Sequence, residues 1–137
     1  MTSNTEIVLS KSQAEVLVRH SRNNVPNESC AILYGKMESG KTLIKEIFLA
    51  TNIESSPVAF TISNEELLSA YNYAEKNALD ISGIFHSHPN SVAYPSEVDQ
   101  KYMEINIIPW VIFSNLNEEF KAYIYDSGII PLSIKIS

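Results

Sequence analysis

A short apolar run, Ile81-Ser82-Gly83-Ile84-Phe85, leads straight into His86-Ser87-His88-Pro89, and this junction constrains the fold more than any other part of the chain. On an extended strand, side chains two residues apart leave the same face, so His86 and His88 project together while Ser87 points away. Pro89 has no N–H to offer a ladder and ends the strand. After a short loop, Pro95-Ser96-Glu97-Val98-Asp99 reads as a helix start, with Ser96 as N-cap and an acid three residues on in the capping-box position. The chain must therefore bring a strand end and a helix start together, with Asp99 in the helix's first turn.

Two imidazoles and a carboxylate delivered this way suit a divalent cation. Zn²⁺ takes four N, O or S ligands, and three from protein leave one position for water, the arrangement of catalytic rather than structural zinc. Each part also has a purely structural reading, since a strand His pair can be core or surface and capping needs no metal. The order of strand, loop and capped helix favours the metal.

His86-Ser87-His88-Pro89, the spacer ending on Pro95-Ser96, and Asp99 together resemble the signature of the JAMM metalloproteases, the zinc-dependent isopeptidases of the MPN domain family. Upstream, Glu28-Ser29-Cys30-Ala31 opens an apolar strand ending at Tyr34-Gly35 and is similar to the segment where that family carries its catalytic glutamate; Ala31 stands where the family usually has Gly. The likeness in element order runs roughly over residues 5–125. It implies a cytidine-deaminase-like MPN fold, one Zn²⁺ per chain held by His86, His88 and Asp99, Glu28 as the carboxylate that moves the proton, and Ser96 as hydrogen-bond donor to the carbonyl oxygen. In such chemistry zinc lowers the pKa of water from about 15.7 toward about 7. Glu28 would take the water's proton and return it to the departing amine, while Ser96 would steady the developing oxyanion.

The resemblance also implies a substrate: the amide or isopeptide bond after the Gly-Gly tail of a ubiquitin-like protein. Only a short polar stretch separates the strand at 42–49 from Val58, and one helix fills the segment after Asp99, so no long functional insertion is expected. A minimal hydrolase acting on a small ubiquitin-like modifier or a sulfur-carrier protein fits this compact form. Two alternatives stay open: a zinc peptidase or amidase processing a sulfur-carrier tail or short peptide, and a metal-free MPN scaffold.

The rest of the chain reads as alternating strands and helices. A strand at 5–9 precedes a helix capped by Ser10 and Gln13, with Ala14, Leu17, Val18 and Ser21 on one face and an end near Asn23, Asn24 and Pro26. Strands at 28–34 and 42–49 form a hairpin around Ser39-Gly40, and a further strand covers 58–62. A second capping box, Ser63 with Glu66, opens a helix with the apolar stripe Leu67, Ala70, Tyr71, Ala74 and Ala78. The helix at 96–105 pairs Val98 with Tyr102, and strands follow at 110–114, 120–125 and 130–136. The expected fold is α/β or α+β, a single mixed sheet of about seven strands flanked by three helices.

With 137 residues, 45% apolar and 19% charged, the chain can bury roughly two-thirds of its unfolded surface, so one domain over residues 1–137 is expected. No apolar run approaches the roughly eighteen residues of a membrane helix, and Met1-Thr2-Ser3-Asn4 lacks signal-peptide character. A soluble cytoplasmic protein is the expectation. A net charge of −6 and ten scattered Lys and Arg argue against nucleic acid as partner. The single Cys30 cannot form an internal disulfide. A Cys30 nucleophile paired with His is conceivable, but its apolar context reads as core. His20, at the polar end of the first helix, reads as solvated.

Overall fold

Ser10 sets the angle between the first strand, β1 (Glu6–Leu9), and the first helix, α1 (Lys11–Asn24). Its side chain accepts from the Gln13 N–H at 3.1 Å while the Gln13 side chain accepts from the Ser10 N–H at 2.8 Å, the complete box the sequence predicts. The structure is a computed structural model and describes residues 4–137; Met1-Thr2-Ser3, read above for leader character, lie outside the described residues. After α1 come β2 (Cys30–Glu38), β3 (Lys41–Ala50), α2 (Asn64–Lys76), β4 (Asp80–His88), α3 (Glu97–Ile105), β5 (Trp110–Ser114), β6 (Phe120–Tyr125) and β7 (Ile129–Ile136). Among the described residues no helix is long and apolar enough to cross a membrane.

The strands run β1-β3-β2-β4-β5-β6-β7 and the sheet closes on itself, because β1 pairs in parallel with both β3 and β7. Ile7 stands opposite Thr42 on one side and Ile134 on the other. A sheet flanked by helices is therefore right as α+β, and closure into a barrel is added by the tertiary structure; it removes the open edges that would template pairing with other chains.

Alternation along the strands sorts the core into layers. Ala31, Leu33, Phe85, Val111 and Phe113 pack on one face with Leu17 of α1. Cys30, Ile32 and Tyr34 face Ala70 and Ala74 of α2, and Trp110 and Ile112 face Met103 of α3. Strands covered on both faces read as continuous apolar runs, which is why β2 and β5 are so visible in sequence. His86, beside Ile84 and Trp110, lies on the α2 and α3 side.

Several expectations are corrected. Residues 58–62 form no strand. Their polar backbone is taken instead by Asn52: its side chain accepts from the Thr61 N–H and donates to the Ala59 carbonyl, while the Thr61 carbonyl accepts from the Ile53 N–H. The box at Ser63 is half formed, because Glu66 turns its carboxylate to the Thr51 N–H at 2.9 Å. Of the apolar stripe expected on α2, Tyr71 is exposed, and Ala78 is exposed and lies beyond the helix end at Lys76. His20 is not solvated; its Nε2 lies 3.0 Å from the Cys30 carbonyl and 3.2 Å from that of Ala50, fastening α1 to β2 and β3. The β2–β3 hairpin extends through Gly35, where an added Cβ would stand 2.1 Å from the Leu43 carbonyl oxygen, and the register shifts at that close approach.

Candidate metal centre

β4 delivers His86 and His88 from alternate positions, and the cap of α3 delivers Asp99. Ser96 Oγ accepts from the Asp99 N–H at 3.0 Å, and Asp99 Oδ2 accepts from the Ser96 N–H at 2.9 Å. The capping box thus serves two ends: it starts α3 and fixes the Asp99 carboxylate in one rotamer facing the histidines. All three side chains are buried.

Their donor atoms form a nearly equilateral triangle. His86 Nε2 and His88 Nε2 are 3.1 Å apart, and Asp99 Oδ2 lies 3.0 Å from the first and 3.1 Å from the second. Ligands on arms of about 2.0–2.1 Å in a tetrahedral zinc site stand roughly 3.3 Å apart. The triangle and its N, N, O donor chemistry therefore fit Zn²⁺, and these three residues could hold it.

The two imidazoles are aimed by different means. His88 Nδ1 lies 2.9 Å from the Val92 carbonyl, to which it donates, leaving Nε2 as the ligating nitrogen. His86 Nδ1 is buried without a partner. Its ring is held by packing: Phe60 stacks on it at 4.9 Å between centroids, and Trp110 meets it edge-on at 5.9 Å.

Burial and pairing set the charges. Burial lowers His86 below its ordinary pKa and outweighs the opposing pull of Asp99, so His86 is neutral, as a ligand must be. For Asp99, burial acts upward, but hydrogen bonds from His86 and His88 overcome it and hold the carboxyl well below its usual range. Burial acts downward on His88, and the bonds to Asp99 and the Val92 carbonyl reverse it, leaving His88 raised.

Glu28 lies two residues before β2, not within it. One of its oxygens, Oε2, is 4.0 Å from His88 Nε2, and the other, Oε1, is buried without a partner. Burial chiefly, with Asp99 and Glu54 adding and His88 opposing, pushes its carboxyl up to about 8. Cys30 is fully buried in the α2-facing core, and burial pushes its thiol up to about 12. A thiol so reluctant to ionise is no nucleophile.

The family model of prokaryotic homologs of the JAB domain matches residues 10–124. The chain belongs to the prokaryotic JAB family. This JAB-domain chain is 35% identical over 97 residues to a desampylase of Pyrococcus furiosus, covering 71% of the chain and 66% of that relative. It is 30% identical over 95 residues to the CysO-cysteine peptidase of Mycobacterium bovis, covering 69% and 64%. The matches thus span just under two thirds of these relatives' lengths. A solved solution structure from Desulfitobacterium hafniense superposes with a TM-score of 0.82 at 29% identity, covering 96% of this chain and 92% of that one.

In the JAB chain the structure brings Glu28, His86, His88, Ser96 and Asp99 into one cluster, and it adds supports that the sequence does not show. Phe60 and Trp110 carry no local signal, since each is recruited from another part of the chain, while the Val92 carbonyl comes from the loop just after His88. Ser87 faces away from the cluster as expected, and there it pairs with Ser29: the two hydroxyls are 2.8 Å apart, and Ser87 Oγ accepts from the Ser29 N–H at 2.9 Å. That clasp ties the segment behind Glu28 to the strand bearing the histidines.

Proposed function

We propose that this chain works as one catalytic domain, a zinc-dependent isopeptidase that hydrolyses the bond following the Gly-Gly tail of a small ubiquitin-like modifier. The observation that carries the reading is the buried, unpartnered Glu28 Oε1 beside a triangle of zinc-type donors. An orphaned carboxylate oxygen is costly to bury, and a water or amine proton in front of it would remove that cost.

His86, His88 and Asp99 would hold one Zn²⁺, which when bound supplies Lewis acidity that makes water a nucleophile at neutral pH. Glu28 accepts the water's proton as the new C–O bond forms, then delivers it to the amine nitrogen as the C–N bond breaks. The raised affinity of Glu28 for a proton suits it to hold one between these steps, and a cation nearby brings the carboxyl back toward its ionised form. Ser96 Oγ already accepts from the Asp99 N–H, so its own hydrogen is free for the carbonyl oxygen.

An apolar groove of about 230 Å³ adjoins the site, lined by Phe60, Ile62, Leu67, Ile84, Tyr102 and Trp110. Phe60 and Trp110 also touch the His86 ring, so the groove and the metal centre share two walls. The names of the desampylase and CysO-cysteine peptidase relatives support protein-tail substrates. A cytoplasmic location is part of the same reading.

The test is cleavage of a Gly-Gly-tailed β-grasp protein joined to a lysine side chain, alongside the same protein carrying Ala-Ala. Cleavage of the first and sharp loss with the second is expected, because glycine lets an extended backbone approach closely. Equal cleavage would favour a general peptidase. The mycobacterial relative favours a second reading, release of cysteine from a carrier tail, so a cysteine adduct belongs in the same assay.

A further inference from the structure

Asn52 follows the last residue pair of the β2–β3 hairpin, is only 7% exposed, and uses every hydrogen-bonding position of its amide. Nδ2 donates to the Glu28 carbonyl at 3.0 Å and to the Ala59 carbonyl at 3.0 Å. Oδ1 accepts from the Glu54 N–H and from the Thr61 N–H, both at 3.1 Å. Asparagine often closes a local turn through its own side chain. The contact to Glu28 is different, since it reaches across 24 residues of sequence to the backbone of a site residue.

Glu28 precedes β2 and has no ladder partner of its own. Its N–H donates to the Ser56 carbonyl at 2.8 Å, and its carbonyl accepts from Asn52, so the loop following β3 holds this peptide from both sides. The Glu28 carboxylate, by contrast, has one oxygen without a partner and the other 4.0 Å from His88. A side chain with so little holding its tip is aimed by its backbone. The same loop carries Phe60, whose ring stacks on His86. One buried amide therefore sets the backbone from which two site side chains project.

We infer that Asn52 is a positioning residue for the reaction: through the Glu28 carbonyl and the loop at 52–61 it aims the Glu28 carboxylate at the metal centre. The inference rests on the isopeptidase reading for its catalytic part. Misplacing a reacting group by about 1 Å can cost about 10²-fold in rate, so Asn52→Ala should lower kcat on the lysine conjugate by roughly 10- to 100-fold with KM and zinc content unchanged. In a Glu28→Gln background the same change should cost nothing further, because a residue acting through Glu28 has nothing left to aim.

A second measurement needs no activity. In the metal-free protein, amide hydrogen exchange at Glu28 and Thr61 should speed up by about tenfold or more in Asn52→Ala, with β4 amides unchanged. Should that variant fail to fold, Asn52→Asp keeps the acceptor for Glu54 and Thr61 and loses both donors, so exchange should speed up at Glu28 with Thr61 unchanged, and the kinetic comparison is the same. Unchanged exchange at Glu28, or losses from Asn52 and Glu28 that multiply, would overturn the inference. A wild-type protein that cleaves no tailed conjugate sinks the isopeptidase reading instead, and the exchange experiment still decides whether Asn52 holds Glu28.

Discussion

Glu28 Oε2 stands 4.0 Å from His88 Nε2, while its companion oxygen Oε1 is buried with no hydrogen-bond partner. The two residues come from different sheet strands' ends, Glu28 from the lead-in to β2 and His88 from the last position of β4, and the antiparallel pairing of Cys30 with His86 brings them together.

This pair has a pH signature. In the metal-free fold, burial keeps the Glu28 carboxyl protonated up to about 8, whereas in the unfolded chain it ionises near its ordinary 4.5. The folded state therefore holds an extra proton between those values, and the stabilisation is complete below about 4.5 and lost as pH rises through about 8. Chelated wild-type protein should lose melting temperature relative to Glu28→Gln as pH is raised across that window. Parallel curves would show that Glu28 is already ionised in the metal-free fold.

On the same substrate, Glu28→Gln should retain zinc and fold while turnover drops by about 10² or more, the scale for a lost proton-transfer group. Turnover near wild type would remove Glu28 from the mechanism.

Metal content tests the triangle directly. Elemental analysis should find about one Zn²⁺ per chain, chelation should abolish cleavage, and zinc should raise the melting temperature in proportion to its binding. His88→Ala should lose both zinc and that rise. Full zinc occupancy in His88→Ala would sink the ligand assignment.

Ser96 caps α3, and the proposed function gives its hydroxyl a second role that can be separated from the first. Ser96→Ala should cost about 1 kcal/mol through the lost N-cap of α3, visible as a small drop in melting temperature. If its hydroxyl also donates to the carbonyl oxygen, kcat should fall by about 10²-fold with zinc retained. A loss of stability without a matching loss of kcat would leave Ser96 a cap alone.

Cys30, with its thiol pushed up to about 12 by burial, should resist alkylation at neutral to mildly alkaline pH in the folded protein and react once unfolded. Cys30→Ala should leave turnover within about twofold, a surface-free change in the core felt mainly as stability. Strong inactivation would revive the thiol as a participant.

The chain's own residues determine the parts that obey local rules. Alternation puts His86 and His88 on one face of β4, the Ser96–Asp99 box starts α3 and orients its carboxylate, and apolar runs covered on both faces make β2 and β5 visible. Those rules act over a few residues, so they can be read from order alone. The strand expected at 58–62 fails for the opposite reason: Val58 to Ile62 has strand composition, but Asn52 claims its backbone from outside the segment. Likewise, only the tertiary structure closes the sheet through the β1–β7 pairing and stacks Phe60 on His86. Each is a contact between residues with no periodic relation in sequence, and its energy exists only once the chain has folded around it.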